Sequence, residues 1–290
     1  MKCNSMRKIV RWSVSIGIVL LFVGTSIAQV PNWNSSQNVV PKNLSKGTIT
    51  FNPTDDSYCG APNEVNGFIP FMYIRNGSVG DQWLAAPVIK FNISSIPANS
   101  LIISATLSIF YFTYSDHNPA GRALTVRHFE EDWEEETITR NNMPPYSSEI
   151  SAVTAAPPSP GVWITWDVTS DVQKFVSGTL ENYGWIIKDE QYWGGSGIPD
   201  MILYAKEHGS DIPYLEVKVA VLQSAVLVGR VTNLVSHDSY YTLDAVKLRY
   251  IQFSPFSFNT YKSGETIAVT KQMGILTTNF AFGLFKATLM

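Results

Sequence analysis

An all-β fold, arranged as an antiparallel sandwich, is predicted for this chain by three observations. From Leu101 to Tyr114 apolar side chains alternate, with Ile103, Ala105, Leu107, Ile109 and Tyr111 falling on one face, which is the pattern of a strand with one buried side. Turn residues then punctuate the chain about every dozen positions after residue 46, a spacing that suits two packed sheets. No period of roughly 20–50 residues recurs, which argues against a solenoid.

The start of the chain is expected to be processed. Lys2, Arg7, Lys8 and Arg11 form a basic region, Trp12 to Val23 an apolar run marginal for spanning a membrane, and Ser26-Ile27-Ala28 a cleavage site of small residues, so residues 1–28 read as a signal peptide; an uncleaved anchor is the alternative. Cleavage removes Cys3, leaving Cys59 without an intrachain disulfide partner. Residues 29–46, with Pro31, Pro41 and many Asn and Ser, read as a linker.

The most informative stretch is Trp163 to Glu190, which reads as strand, short helix and strand. Asp167 and Thr169 are suited to accept hydrogen bonds from the first N–H groups of a helix; Val168, Val172, Phe175 and Val176 recur at helical spacing. Gly178 ends the helix, and Asn182-Tyr183-Gly184 turns the chain into a strand from Trp185 to Asp189. Four further segments accompany it: Thr48 to Tyr58 followed by Pro62-Asn63, Lys90 to Leu107 with its Ile-Pro turn, Leu124 to Pro144, and Leu203 to Val217.

In this order the five segments resemble the DNRLRE domain, carbohydrate-binding module family 96, over about residues 47–219. The resemblance implies a jelly-roll-like sandwich with one short helix and a noncatalytic polysaccharide-binding role, in a protein that is secreted or held at the cell surface. It also implies core positions for Trp133, Trp166, Tyr183, Trp185 and Tyr214. The chain departs from the family pattern at Ala85-Ala86-Pro87, where basic residues are common, at Arg140, where an aromatic commonly precedes Asn141-Asn142-Met143-Pro144, and at Ile212, where an Arg is common.

Residues 221–290 carry four β-rich runs, Val226–Val235, Tyr241–Phe253, Gly264–Thr270 and Phe280–Leu289, and predict a small all-β barrel or sandwich as a second domain after 47–220. The two parts differ in charge. Residues 47–220 hold 9 basic and 21 acidic side chains, a net −12, whereas residues 221–290 hold 6 and 3, a net +3. So acidic a first domain repels phosphate backbones and excludes nucleic acid as its partner. The basic tail suits docking onto an acidic surface, such as a neighbouring subunit in an oligomer. The resemblance implies alginate as a ligand, but the acidic field opposes a polyanion unless a local basic patch or a bound cation overrules it.

Catalytic signatures are sparse. His117, His128, His208 and His237 form no HExxH, and CxxC, GxSxG and phosphate-cradling glycine motifs are missing. Carboxylate pairs are too numerous to single one out for glycoside hydrolysis, so a polysaccharide-degrading enzyme ranks below a binding protein and below a structural or adhesive matrix protein. For the last, the sequons at Asn34, Asn43, Asn76 and Asn92 are consistent with exposure to glycosylation. The acidic run Glu130 to Glu136 offers oxygen ligands to a structural calcium, but reads more simply as a solvated loop around a packed Trp133; Asp55 and Asp56 read as turn caps.

A glycan site pairs an aromatic face with fixed polar groups. Alternation places Arg127, Lys188 and Lys206 on the side of their strands away from the core, where they would form a basic stripe if those strands were neighbours; Tyr192 and Trp193 would supply the aromatic wall.

Overall fold

The computed structural model describes residues 47–289 except 78–83, 99, 194–198, 238–239 and 254–255, so the expected signal peptide and linker lie outside the described residues. Strands β1 (Gly47–Phe51), β11 (Tyr214–Val221), β5 (Ser100–Ser115), β10 (Asp200–Tyr204) and β3 (Phe71–Asn76) run antiparallel in that order, with β8 (Val162–Asp167) on the other edge of β5. A second layer is built from β2 (Asp55–Cys59), β4 (Leu84–Lys90), β9 (Trp185–Asp189), β6 (Ala123–His128) and β7 (Ala152–Ala155). Pairing of Arg75 and Asn76 with Ala85 and Leu84 joins the two layers into one curled sheet.

The inner faces meet in one apolar core that includes Leu107, Ile109, Tyr111, Leu124, Val126, Trp166, Trp185 and Ile187. Alternation along β5 is interrupted by register shifts against β10, between Ile202 and Leu203, and against β11. A bulge between Lys218 and Val219 on β11 makes Val219 face Ile102 while Val217 faces Ala105, so Ile102 is buried and Ile103 is turned half outward.

The helix α1 (Thr169–Ser177) closes one end of this core by burying Val172, Phe175 and Val176. Asp167 accepts a hydrogen bond from the Thr169 N–H at 3.0 Å, and Thr169 Oγ1 accepts one from the Ala105 N–H at 2.8 Å, which ties the helix start to β5. Gly178 adopts the left-handed conformation that ends the helix, and its N–H reaches the carbonyl of Phe175. Trp166 and Trp185 are fully buried, and their indole N–H groups donate to the Leu124 carbonyl (3.0 Å) and to Asp171 (2.9 Å). Tyr214, expected in the core, is only half-buried and packs edge-on against Trp163.

Strands β12 (Gln223–Ser236), β13 (Tyr241–Phe253), β14 (Phe256–Leu276) and β15 (Ala281–Leu289) form a closed antiparallel barrel around Leu227, Val231, Leu243, Leu248, Val269 and Phe285. Closure pairs every strand on both sides and leaves no free edge. A small cluster of Leu101, Leu222 and Ala268, with Tyr240 against it, connects the barrel to the end of β5. Among the described residues, no helix is long and apolar enough to cross a membrane.

Candidate functional site

The outer face of the second layer carries the site. Strand alternation turns Leu124, Val126, Trp185 and Ile187 inward, which leaves Thr125, Arg127, Ile186 and Lys188 outward. The segment after β6 folds over part of this face, burying Phe129, Trp133 and Ile138 against Cys59, Val88 and Ile186. It is pinned at its start, where Phe129 donates to the Gly184 carbonyl and Trp133 Nε1 donates to the Tyr183 carbonyl at 2.8 Å. Lys90 adds a hydrogen bond to the Trp133 carbonyl at 2.7 Å.

Where that segment leaves the sheet uncovered there is a cavity of about 250 Å³. Its floor is apolar, from Ala86, Met143 and Ile186, and Arg75, Arg140 and Lys188 stand around it with Tyr146. Lys188 Nζ donates to Tyr146 Oη at 3.0 Å and lies 3.5 Å from Glu190. Glu190 also accepts from Arg127 Nε and Thr125 Oγ1, each at 2.9 Å; burial pushes its carboxyl upward, but these donors and the two cations outweigh that and hold it below its usual value. Arg75 is paired with Asp200. Burial raises the Cys59 thiol to about 12 against the opposing field of Arg140, so the thiol beside the cavity stays protonated and unreactive.

The residues expected to form one basic stripe divide into two groups. Arg127 and Lys188 do meet, through Glu190, on neighbouring strands β6 and β9. Lys206 does not join them: its strand β10 lies between β5 and β3, and the residue itself lies beyond the strand in a short 3₁₀ turn, Lys206–His208, bound to Glu135 and Glu207. Trp193 does not line the cavity but is tied to Asn76, which does: its backbone N–H donates to the Asn76 carbonyl, while the Arg122 guanidinium lies 4.7 Å from its ring. Asn76 in turn donates to the Asp189 carbonyl at 2.7 Å, so the side chain of this sequon is engaged within the protein. Tyr192 beside it is 56% exposed and presents its ring to solvent.

Sequence reading missed Arg75, Arg140 and Tyr146. Arg140 carried a signal as a departure from the family pattern, whereas Arg75 and Tyr146 reach the cavity only through tertiary folding. Trp133 is packed as expected, but Asp55 and Asp56 cap no turn, because both lie within β2. Asp55 faces outward to Lys90 at 3.6 Å, and Asp56 faces inward, fully buried.

Burial raises the Asp56 carboxyl from 3.8 to about 8, helped by Glu207 and Glu135 and opposed by the backbone N–H and charge of Lys206. Because the folded value lies above the unfolded one, the native state holds this proton more tightly, and its stabilising share is complete below about pH 4 and lost as pH rises through about 8. In metal-free buffer, urea midpoints of the wild type should therefore fall relative to Asp56→Asn between about pH 4 and pH 9. A difference between the two proteins that stays constant with pH would contradict this.

A family model for carbohydrate-binding module family 96 matches residues 47–219, the span of the curled sheet. The chain belongs to carbohydrate-binding module family 96. The sandwich that carries the cavity is thus a carbohydrate-binding module. No curated protein matches the chain.

Proposed function

We propose that this family 96 protein is secreted or cell-surface-bound and grips an acidic polysaccharide, without cleaving it, at the cavity lined by Arg75, Arg140 and Lys188. The carrying observation is the cavity's composition: an apolar floor and Tyr146 suit the apolar side of a sugar ring, and three basic side chains suit its carboxylate. This is the local basic patch that a polyanion needs inside a domain of net −12. Tyr192 at the neighbouring rim extends the aromatic surface toward a second sugar, and Arg127, tied to Glu190, keeps Lys188 in register. Residues 1–28, with their basic start and small-residue end, support export.

Noncatalytic binding is supported by the state of the groups around the cavity. Glu190 is bound by Arg127 and Lys188, which hold its carboxyl below its usual value, so it is not kept protonated as a general acid. Retention on immobilised polyuronate tests the reading. The wild type should be retained at low salt and released near 1 M, where the screening length shrinks to ~3 Å. Arg140→Gln combined with Lys188→Gln should abolish retention while changing unfolding free energy by about 0–1 kcal/mol for the surface ion pair lost. Retention by the double variant, or release of new reducing or unsaturated ends by the wild type, would overturn the proposal.

A further inference from the structure

We propose that Asp56, Glu135 and Glu207 form a site for a hard divalent cation, calcium by preference, whose place the Lys206 ammonium takes when the ion is absent. The three carboxylates come from strand β2, the segment after β6 and the 3₁₀ turn after β10, and one oxygen of each lies within 4.8 Å of the others. At that upper bound the three oxygens stand about 2.8 Å from a common centre, a few tenths of an ångström beyond the 2.3–2.6 Å of calcium–oxygen bonds. Oxygen-only donors select a hard ion, and three carboxylates on separate segments suit the loose geometry of calcium better than the strict octahedron of magnesium.

A second observation separates this cluster from an ordinary acidic patch. Asp56 is fully buried, and its Oδ1 has no hydrogen-bond partner, while Oδ2 accepts only the Lys206 N–H at 2.8 Å. An orphaned carboxyl oxygen at zero exposure is costly unless a proton or a cation reaches it. Lys206 Nζ does not: it binds both oxygens of Glu135 (2.5 and 2.6 Å) and Glu207. One ammonium thus stands among three carboxyl groups, and its side chain is 23% exposed, so it can swing out to water. A divalent ion in its place would be held by an oxygen of Asp56 as well as by Glu135 and Glu207. Bound there, the ion would tie the edge of one layer, β2, to the β10–β11 corner of the other.

The arrangement makes Lys206 a competitor of the ion, and that gives the test its direction. Calcium chloride is titrated into the chelator-stripped full chain by calorimetry, with thermal unfolding followed at constant ionic strength. Calcium should bind with a single-site isotherm and raise Tm by several degrees, by mass action on the native state. Lys206→Gln should bind calcium about tenfold or more tightly, because the internal competitor is gone. Asp56→Asn and Glu135→Gln should lose the calcium-dependent rise in Tm. No calcium binding by wild type and Lys206→Gln, weaker binding by Lys206→Gln, or a calcium response that persists in Asp56→Asn combined with Glu135→Gln would each overturn the proposal.

Discussion

Trp185→Ala is expected to cost about 3–5 kcal/mol of unfolding free energy, toward the upper end of that range. The indole is 1% exposed and packs between Phe175 at 5.5 Å and Phe91 at 6.3 Å, so its removal leaves a cavity between helix and sheet that neither ring can fill. It also strips the buried Asp171 carboxylate of the indole N–H it accepts at 2.9 Å, a separate penalty of roughly 1–3 kcal/mol. Trp185→Phe divides the two contributions, since it restores most of the apolar contact and none of the hydrogen bond. Urea unfolding of the three proteins reads both, and a loss under about 1 kcal/mol in the alanine variant would mean that the helix does not close the core.

Gly184→Ala should be comparably damaging although it adds one methyl group. Gly184 has φ +77°, and a Cβ there would lie 2.2 Å from the Ile89 carbonyl oxygen and 2.9 Å from the Lys90 Cα. Both obstacles are backbone of β4, held in register by the Ile89–Trp185 pairing, so no side-chain rotation relieves them. Left-handed strain of about 1–3 kcal/mol and overpacking of similar size together predict a loss of roughly 3 kcal/mol or more. Ile186 and Lys188, two and four residues on, line the cavity proposed to bind glycan, so polysaccharide retention should fall with stability. A soluble Gly184→Ala protein with an unchanged urea midpoint would contradict the close approach of these strands.

Trp163 to Glu190 was readable because its signals are local. The hydrogen bond that Asp167 accepts from the Thr169 N–H, the helical spacing of Val168 to Val176 and the stop at Gly178 each act within a few residues, whereas the Thr169 hydroxyl, expected to accept from a helix N–H, accepts from the Ala105 N–H of β5 instead. Ile103 was misplaced because a bulge shifts phase through hydrogen bonding to β11, a strand more than 100 residues away. Lys188 could be found by alternation, which is a local rule. Lys206 could not be assigned that way, since its partner Glu135 lies 71 residues earlier and nothing near Lys206 announces it. The same distance hid the meeting of Asp56 with Glu135: each half of the cluster looked like a solvated loop or turn until the fold brought them together. Fold class follows from periodicity, which every strand repeats, while a site is made by the few contacts that periodicity does not encode.

The claim that the cavity reads a sugar carboxylate is tested most directly by changing the ligand. Calorimetric titration of the wild type with a polyuronate, and with the same polymer after chemical reduction of its carboxylates to alcohols, removes only the charge that Arg75, Arg140 and Lys188 are proposed to hold. Binding to the polyuronate, and loss of tenfold or more in affinity for the reduced polymer, about 1.4 kcal/mol or more, is the predicted result. Equal affinity for both polymers would contradict it.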